Sequence, residues 1–259
     1  MDISTKRAED MGRSLRTVLI VDENASMRYY HGLLLMRLHY VVLTADSAGE
    51  ALTTMERSVP SIVLSSLSLP HMQGKDLFAA IRSNDRLGGV PVIALSETED
   101  QEVRSSCLKR GYSACVAKPA DPHLLYCAIQ AATEASPRAH IRLNLSLKAV
   151  VGDGIDSAGE EAYTSTISEG GMFLQTYYPP PNHTKTPLRL FLSDREIRAT
   201  AEVLYSSTLE RRTFQQPGMG LKFIELHDDD RTFLQSYIRE QLVRDILPGN
   251  ARVGRKPEG

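Results

Sequence analysis

The chain has 259 residues, 42% hydrophobic and 24% charged, enough to bury a full core and to divide into two domains of ordinary size. A formal net charge of -2 and an isoelectric point near 6.4 give no overall attraction to phosphate backbones or acidic membranes. Three cysteines, Cys107, Cys115 and Cys127, odd in number and without C-x-x-C spacing, argue against a metal knuckle or a disulfide framework.

The polar start "MDISTKRAEDMGRSLR" is read as a tail over residues 1–14, and the chain carries no apolar run of membrane-spanning length, so a cytoplasmic protein is expected. The sequons at Asn144 and Asn182 then go unused. "TVLIVDE" is a short apolar run ending in acids, followed by Met27, Tyr30, Leu34 and Leu38 at helical spacing, which predicts a strand and then a helix. The pattern recurs four times. "YVVLT" precedes "SAGEALTTMER", "SIVLSS" precedes "GKDLFAAIRS", "VPVIALS" precedes "DQEVRSSCLKRG", and "ACVAKP" precedes "DPHLLYCAIQAATE". Five buried strands, each followed by a helix, specify a doubly wound parallel sheet whose functional groups gather at the strand C-termini.

Those ends carry Asp22 and Glu23, Ser66, Ser96, and Lys118 before Pro119. With "LIVDE", "LSLPHMQG", "PVIALS" and "AKP", residues 15–135 resemble the receiver domain of response regulators, which implies a flavodoxin-like fold. In that family an acidic pair holds Mg²⁺, an aspartate ending the third strand accepts a phosphoryl group, a Ser/Thr and a Lys bind its oxygens, and an aromatic residue near the Lys reports the state. Here Ser66 stands at the acceptor position and Cys115 at that of the aromatic. A serine without an adjacent base is a weak nucleophile and supplies no anionic metal ligand. The expected outcome is an unphosphorylated domain in which Asp22, Glu23, Ser66, Ser96 and Lys118 are remnants of the pocket, Lys118 pairs with Asp22 or Glu23, and Mg²⁺ is held weakly at most.

After "TEASPRAH" the period changes to alternation, with Leu143, Leu145 and Leu147 interleaved with polar residues, the pattern of a half-buried strand. "GMFLQTY", "PLRLFL", "IRATAEVLYSS" and "GMGLKFIEL" continue it between turn-rich segments, and "DDDRTFLQSYIREQLVRDI" reads as a closing helix behind an aspartate cap. A small antiparallel barrel with a C-terminal helix is predicted over residues 136–246, then a tail over 247–259. Arg138 and Arg142 form R-x-x-x-R, and "TISEGG" follows from Thr166 to Gly171. These motifs resemble the PilZ domain, whose signature is RxxxR followed by (D/N)xSxxG and whose ligand is cyclic di-GMP.

The resemblance implies a ligand site of Arg138, Arg142, Thr166, Ser168 and Gly171. Guanidinium groups fork onto phosphate oxygens and onto the guanine O6/N7 edge. The signature's Asp or Asn is Thr166 here, a substitution expected to weaken binding. The expected protein is a non-catalytic bacterial signalling protein that senses cyclic di-GMP and relays it through protein contacts or self-association of the receiver. The alternative is an adaptor in which neither domain binds its family ligand. No helix-turn-helix pattern follows residue 138, and the basic tail of Arg252, Arg255 and Lys256 is short, so nucleic acid is not an expected partner.

Overall fold

A computed structural model describes residues 16–69, 76–152, 159–193, 195–207 and 217–246. Both expected tails, with Arg252, Arg255 and Lys256, and the Pro70–Gly74 part of the receiver motif lie outside the described residues. The chain divides into two compact units, the second spanning His140–Leu242.

In the first unit, strands β1 (Thr17–Val21), β2 (Val41–Ala45), β3 (Ile62–Ser66), β4 (Val92–Ser96) and β5 (Ala114–Ala117) alternate with helices α1 (Ala25–Arg37), α2 (Ala48–Arg57), α3 (Leu77–Arg82), α4 (Gln101–Arg110) and α5 (Pro122–Thr133). The sheet order is β2-β1-β3-β4-β5, and every pairing is parallel. β3 and β4 are buried along their whole length, which explains their unbroken apolar runs; β2, at the edge, exposes Val41. The pairs Val21↔Ser65, Ser66↔Leu95 and Ser96↔Ala117 bring the strand C-termini into line. Asn24, Ser47, Asp76, Asp100 and Asp121 cap the helices by accepting first-turn N–H bonds, and Gly111, at φ +100, ends α4 in the left-handed conformation. α3 is shorter than its sequence pattern because the cap falls at Asp76.

The second unit is a closed barrel in the order β10-β11-β8-β7-β6-β9. Its strands are β6 (Lys148–Val151), β7 (Glu160–Ser168), β8 (Gly171–Gln175), β9 (Lys185–Leu192), β10 (Arg195–Ser207) and β11 (Gly218–Leu226), followed by α6 (Asp228–Val243). The strand expected from Leu143 is reduced to a single antiparallel bridge, Leu143↔Ile167, and β6 starts at Lys148. A side chain explains the delay: Thr164 Oγ1 donates to the Leu145 carbonyl and accepts from Leu147 N–H, taking bonds that a regular ladder would have made. β7 escaped the sequence pattern because "EEAYTSTIS" carries few apolar residues. α6 buries Leu234, Ile238 and Leu242. Arg195 ties the helix to β10, bonding Asp230 at 2.5 Å and lying 4.8 Å over the Phe233 ring. No described helix is long and apolar enough to cross a membrane.

Candidate functional site

At the C-terminal edge of the parallel sheet the Asp22 carboxylate is fully buried. Its Oδ1 accepts from Asn24 N–H at 2.9 Å and its Oδ2 from Lys118 Nζ at 2.8 Å. Lys118 also donates to Ser66 Oγ at 3.0 Å and meets Glu97 Oε1 at 2.6 Å. An ammonium has three protons, and here three acceptors take them. Burial alone would lower the Lys118 pKa; its bonds to Asp22 and then Glu97 outweigh that and hold it above the usual lysine value. The same contact holds the Glu97 carboxyl below its ordinary value, with burial opposing and Ser68 adding a smaller push in the same direction.

Ser66 is buried at the end of β3 between Lys118 and Ser68, whose hydroxyl lies 2.8 Å away and donates on to Glu97 Oε1 at 3.1 Å. Neither an ammonium nor a second serine takes a proton from Ser66, and the carboxylate behind Ser68 is weakened as a base by Lys118. Ser96 Oγ accepts the Thr98 N–H at 3.2 Å. Glu23 is exposed, and its carbonyl receives Arg28. These groups do not fit Mg²⁺: the one buried carboxylate is already paired with Lys118, and Ser66 brings no charge. Among the described residues no cluster of three His, Cys, Asp or Glu side chains could hold a metal. Glu97 and Ser68 were missed in the sequence; the signal available was an acid directly after Ser96.

The loop that carries Lys118 is held by α1. Tyr30 Oη donates to the Ala120 carbonyl at 3.0 Å, and Ala120 N–H donates to His31 Nε2 at 3.2 Å. His31 is fully buried. Burial lowers its pKa to about 4, Asp22 pulls the other way, Lys118 adds to the fall, and the Met27 carbonyl opposes it only weakly, making no well-aligned hydrogen bond to Nδ1. Cys115 is half-buried on β5, and its thiol is pushed up to about 11 by burial and by Cys107, a thiol and not a reactive thiolate.

On the barrel, Leu143 and Ile167 exchange both backbone bonds, at 2.8 and 2.9 Å. Arg142 therefore stands opposite Ser168, and Asn144 opposite Thr166. By strand alternation these four share the face turned away from buried Leu143 and Ile167. Thr166 Oγ1 donates to Asn144 Oδ1 at 3.4 Å. Ser168 Oγ donates to the Gly171 carbonyl at 3.0 Å and pins the β7–β8 turn. Beside that turn, Glu169 Oε2 takes Gln235 Nε2 at 3.1 Å and lies 3.3 Å from His140 Nδ1. A Cβ on Gly171 would fall 2.0 Å from the Leu221 carbonyl, so glycine there lets β8 and β11 pair. The two arginines fall on either side of a division between the units: Arg138, whose N–H is held by Gln130 Oε1 at 3.2 Å, belongs to the first, and Arg142 to the second. Asn144, His140, Glu169 and Gln235 were missed as site neighbours.

A parallel sheet whose third strand ends in a serine is thus followed by a barrel that carries Arg142, Thr166 and Ser168 on one face. Residues 18–130 match the model of the response regulator receiver domain and residues 135–240 that of the PilZ domain. The chain belongs to both families, a receiver followed by a PilZ domain, and is a bacterial signalling protein. It is 30% identical over 105 residues to an uncharacterized 14.6 kDa protein of Leptolyngbya boryana, covering 40% of this chain and 80% of that protein. It is 33% identical over 119 residues to the transcriptional regulatory protein GlrR of Escherichia coli, covering 46% of this chain and 26% of that one. Among solved structures, the chemotaxis response regulator CheY4 of Vibrio cholerae matches at 24% identity and a TM-score of 0.42, over 46% of this chain and 99% of that chain. The Bacillus subtilis inhibitor of motility MotI/DgrA matches at 20% identity and a TM-score of 0.36, over 42% and 54%. Both families are regulatory and non-catalytic.

Proposed function

We propose that this protein senses cyclic di-GMP through its PilZ domain and passes the signal through its unphosphorylated receiver to a protein partner or a second copy, in the cytoplasm. The observation that supports the reading is the register of Leu143 with Ile167, which puts exposed Arg142 and half-buried Thr166 and Ser168 on the face turned away from the core. A guanidinium beside two hydroxyls suits a phosphate and a guanine edge. Arg138, four residues earlier in the chain, supplies the second guanidinium. Ligand binding orders the segment from Arg138 to Arg142 and so biases the receiver attached to it.

Calorimetric titration with cyclic di-GMP tests this. Charge-assisted bonds from two arginines, each worth about 1.5–3 kcal/mol, outweigh the single contact altered at Thr166. The expected affinity is on the order of micromolar, about -8 kcal/mol, and Arg142→Ala or Arg138→Ala abolishes binding. No heat and no thermal stabilisation at several hundred micromolar ligand would leave the adaptor reading, in which the receiver acts by protein contacts alone. The saturated Lys118 favours that reading for the receiver half.

A further inference from the structure

The PilZ signature asks for an amide or carboxylate at position 166, and this chain has a threonine there. Directly across the two-strand pairing stands Asn144. It is one residue past Leu143, as Thr166 is one residue before Ile167, and the bridge between those two makes 144 and 166 an opposed pair. Outside the bonded pair, antiparallel side chains approach most closely, and here the Thr166 hydroxyl reaches Asn144 Oδ1 at 3.4 Å. Asn144 is exposed, on the same face as Arg142 and Ser168, whereas the alternate positions Leu143 and Leu147 are buried. Its amide is therefore available to a ligand on the signature face.

We propose that Asn144 reads the guanine of the ligand in place of the signature's missing side chain, the amide having crossed from one strand to its partner. The proposal rests on the cyclic di-GMP reading and names the residue that gives that site its base selectivity. An amide carries the complementary groups. Its oxygen has two lone pairs, so it keeps the Thr166 bond while accepting from guanine N1–H, and its NH₂ donates to O6. An adenine edge presents the opposite pattern, a ring acceptor and an exocyclic donor. Thr166 has a positioning role, its hydroxyl donating to Oδ1 and so holding the amide beside the signature face.

Four forms of the full chain, titrated calorimetrically with cyclic di-GMP and with cyclic di-AMP, decide it. The wild type is expected to bind cyclic di-GMP in preference to cyclic di-AMP. Asn144→Ala should lose at least tenfold in cyclic di-GMP affinity and most of the discrimination, with an unchanged melting temperature as the sign of an intact barrel. Thr166→Asn, which keeps Asn144 and adds the signature's own amide, should keep the preference for cyclic di-GMP over cyclic di-AMP, and loss of that preference would count against Asn144 as the reader of the base. The exchange variant, Asn144→Thr with Thr166→Asn, should bind within about threefold of wild type; that rescue would not follow if Asn144 served only the fold. Wild-type affinity and selectivity in Asn144→Ala, or failure of the exchange variant to bind while it melts normally, overturns the proposal and leaves the cyclic di-GMP reading standing. A wild type that binds neither nucleotide removes that reading and this one with it.

Discussion

Lys118 sets the state of the receiver residue by residue. Its side chain is 3% exposed and that of Asp22 is 0% exposed, so each charge depends on the other. Removing one member of such a pair leaves an uncompensated buried charge, a loss of about 3–5 kcal/mol, whereas replacing both with neutral groups is far milder. Lys118→Met should therefore lower the stability of the receiver strongly, and Asp22→Asn combined with Lys118→Met should recover most of the loss; equal melting temperatures for the single and double variants would show that the pair is not coupled. The same geometry makes a chemical prediction. Ser66 faces an ammonium and a serine, so acetyl phosphate with Mg²⁺ should leave the intact mass unchanged. A stable gain of one phosphoryl group that disappears in Ser66→Ala would contradict that account of the pocket.

Between elements, the bonds from Tyr30 and His31 to Ala120 latch α1 to the loop behind β5. His31 must be neutral to accept the Ala120 N–H. Burial lowers its pKa from 6.5 to about 4, so between those values the unfolded chain takes a proton that the folded one refuses. The stabilisation is full above pH 6.5 and declines as pH falls toward 4, by about 3 kcal/mol at 1.36 kcal/mol per unit. Amide exchange at Ala120 should accelerate over that window, corrected for intrinsic rates, and the acceleration should vanish in His31→Gln; a pH-independent protection factor would remove His31 from the latch. Legibility follows the same division by element. β1, β3 and β4 were plain because a strand buried on both faces must be an apolar run, the edge strands β2 and β5 because they keep the strand–helix alternation, and the acidic and basic groups at the strand ends followed from the parallel topology. β7 was hidden because its inward positions are Ala162, Thr164 and Ile167, only one of them large and apolar. Ser68 with Glu97, and Asn144 with Thr166, are 29 and 22 residues apart; such pairings exist only once the register is set. The resemblance puts Gly171 in the ligand site, while the position of the Leu221 carbonyl gives it a reason within the barrel itself.

At the scale of the whole molecule, a sensor is useful only if the ligand alters the domain that meets the partner, and a ligand shifts an equilibrium only by its differential affinity for the two states. One division of the chain lies inside the R-x-x-x-R motif, between Ala139 and His140, and in the proposed function a ligand that engages both arginines constrains that segment of the chain. Coupling of this kind is mechanical and should depend on the stiffness of the connection, not on chemistry in the receiver pocket, which Lys118 already fills. Saturating the full chain with cyclic di-GMP should therefore slow amide exchange in the receiver, at Asn24 and Ala120 as well as in the barrel. Inserting six Gly/Ser residues between Pro137 and Arg138 leaves both arginines and the barrel intact while adding a flexible span of about 13 Å. The insertion variant should bind the nucleotide within about twofold of wild type and yet show no change in receiver exchange. If the uninterrupted chain itself shows protection confined to residues after Arg142, the two domains respond independently, and the receiver is a tether that places the sensor beside its partner.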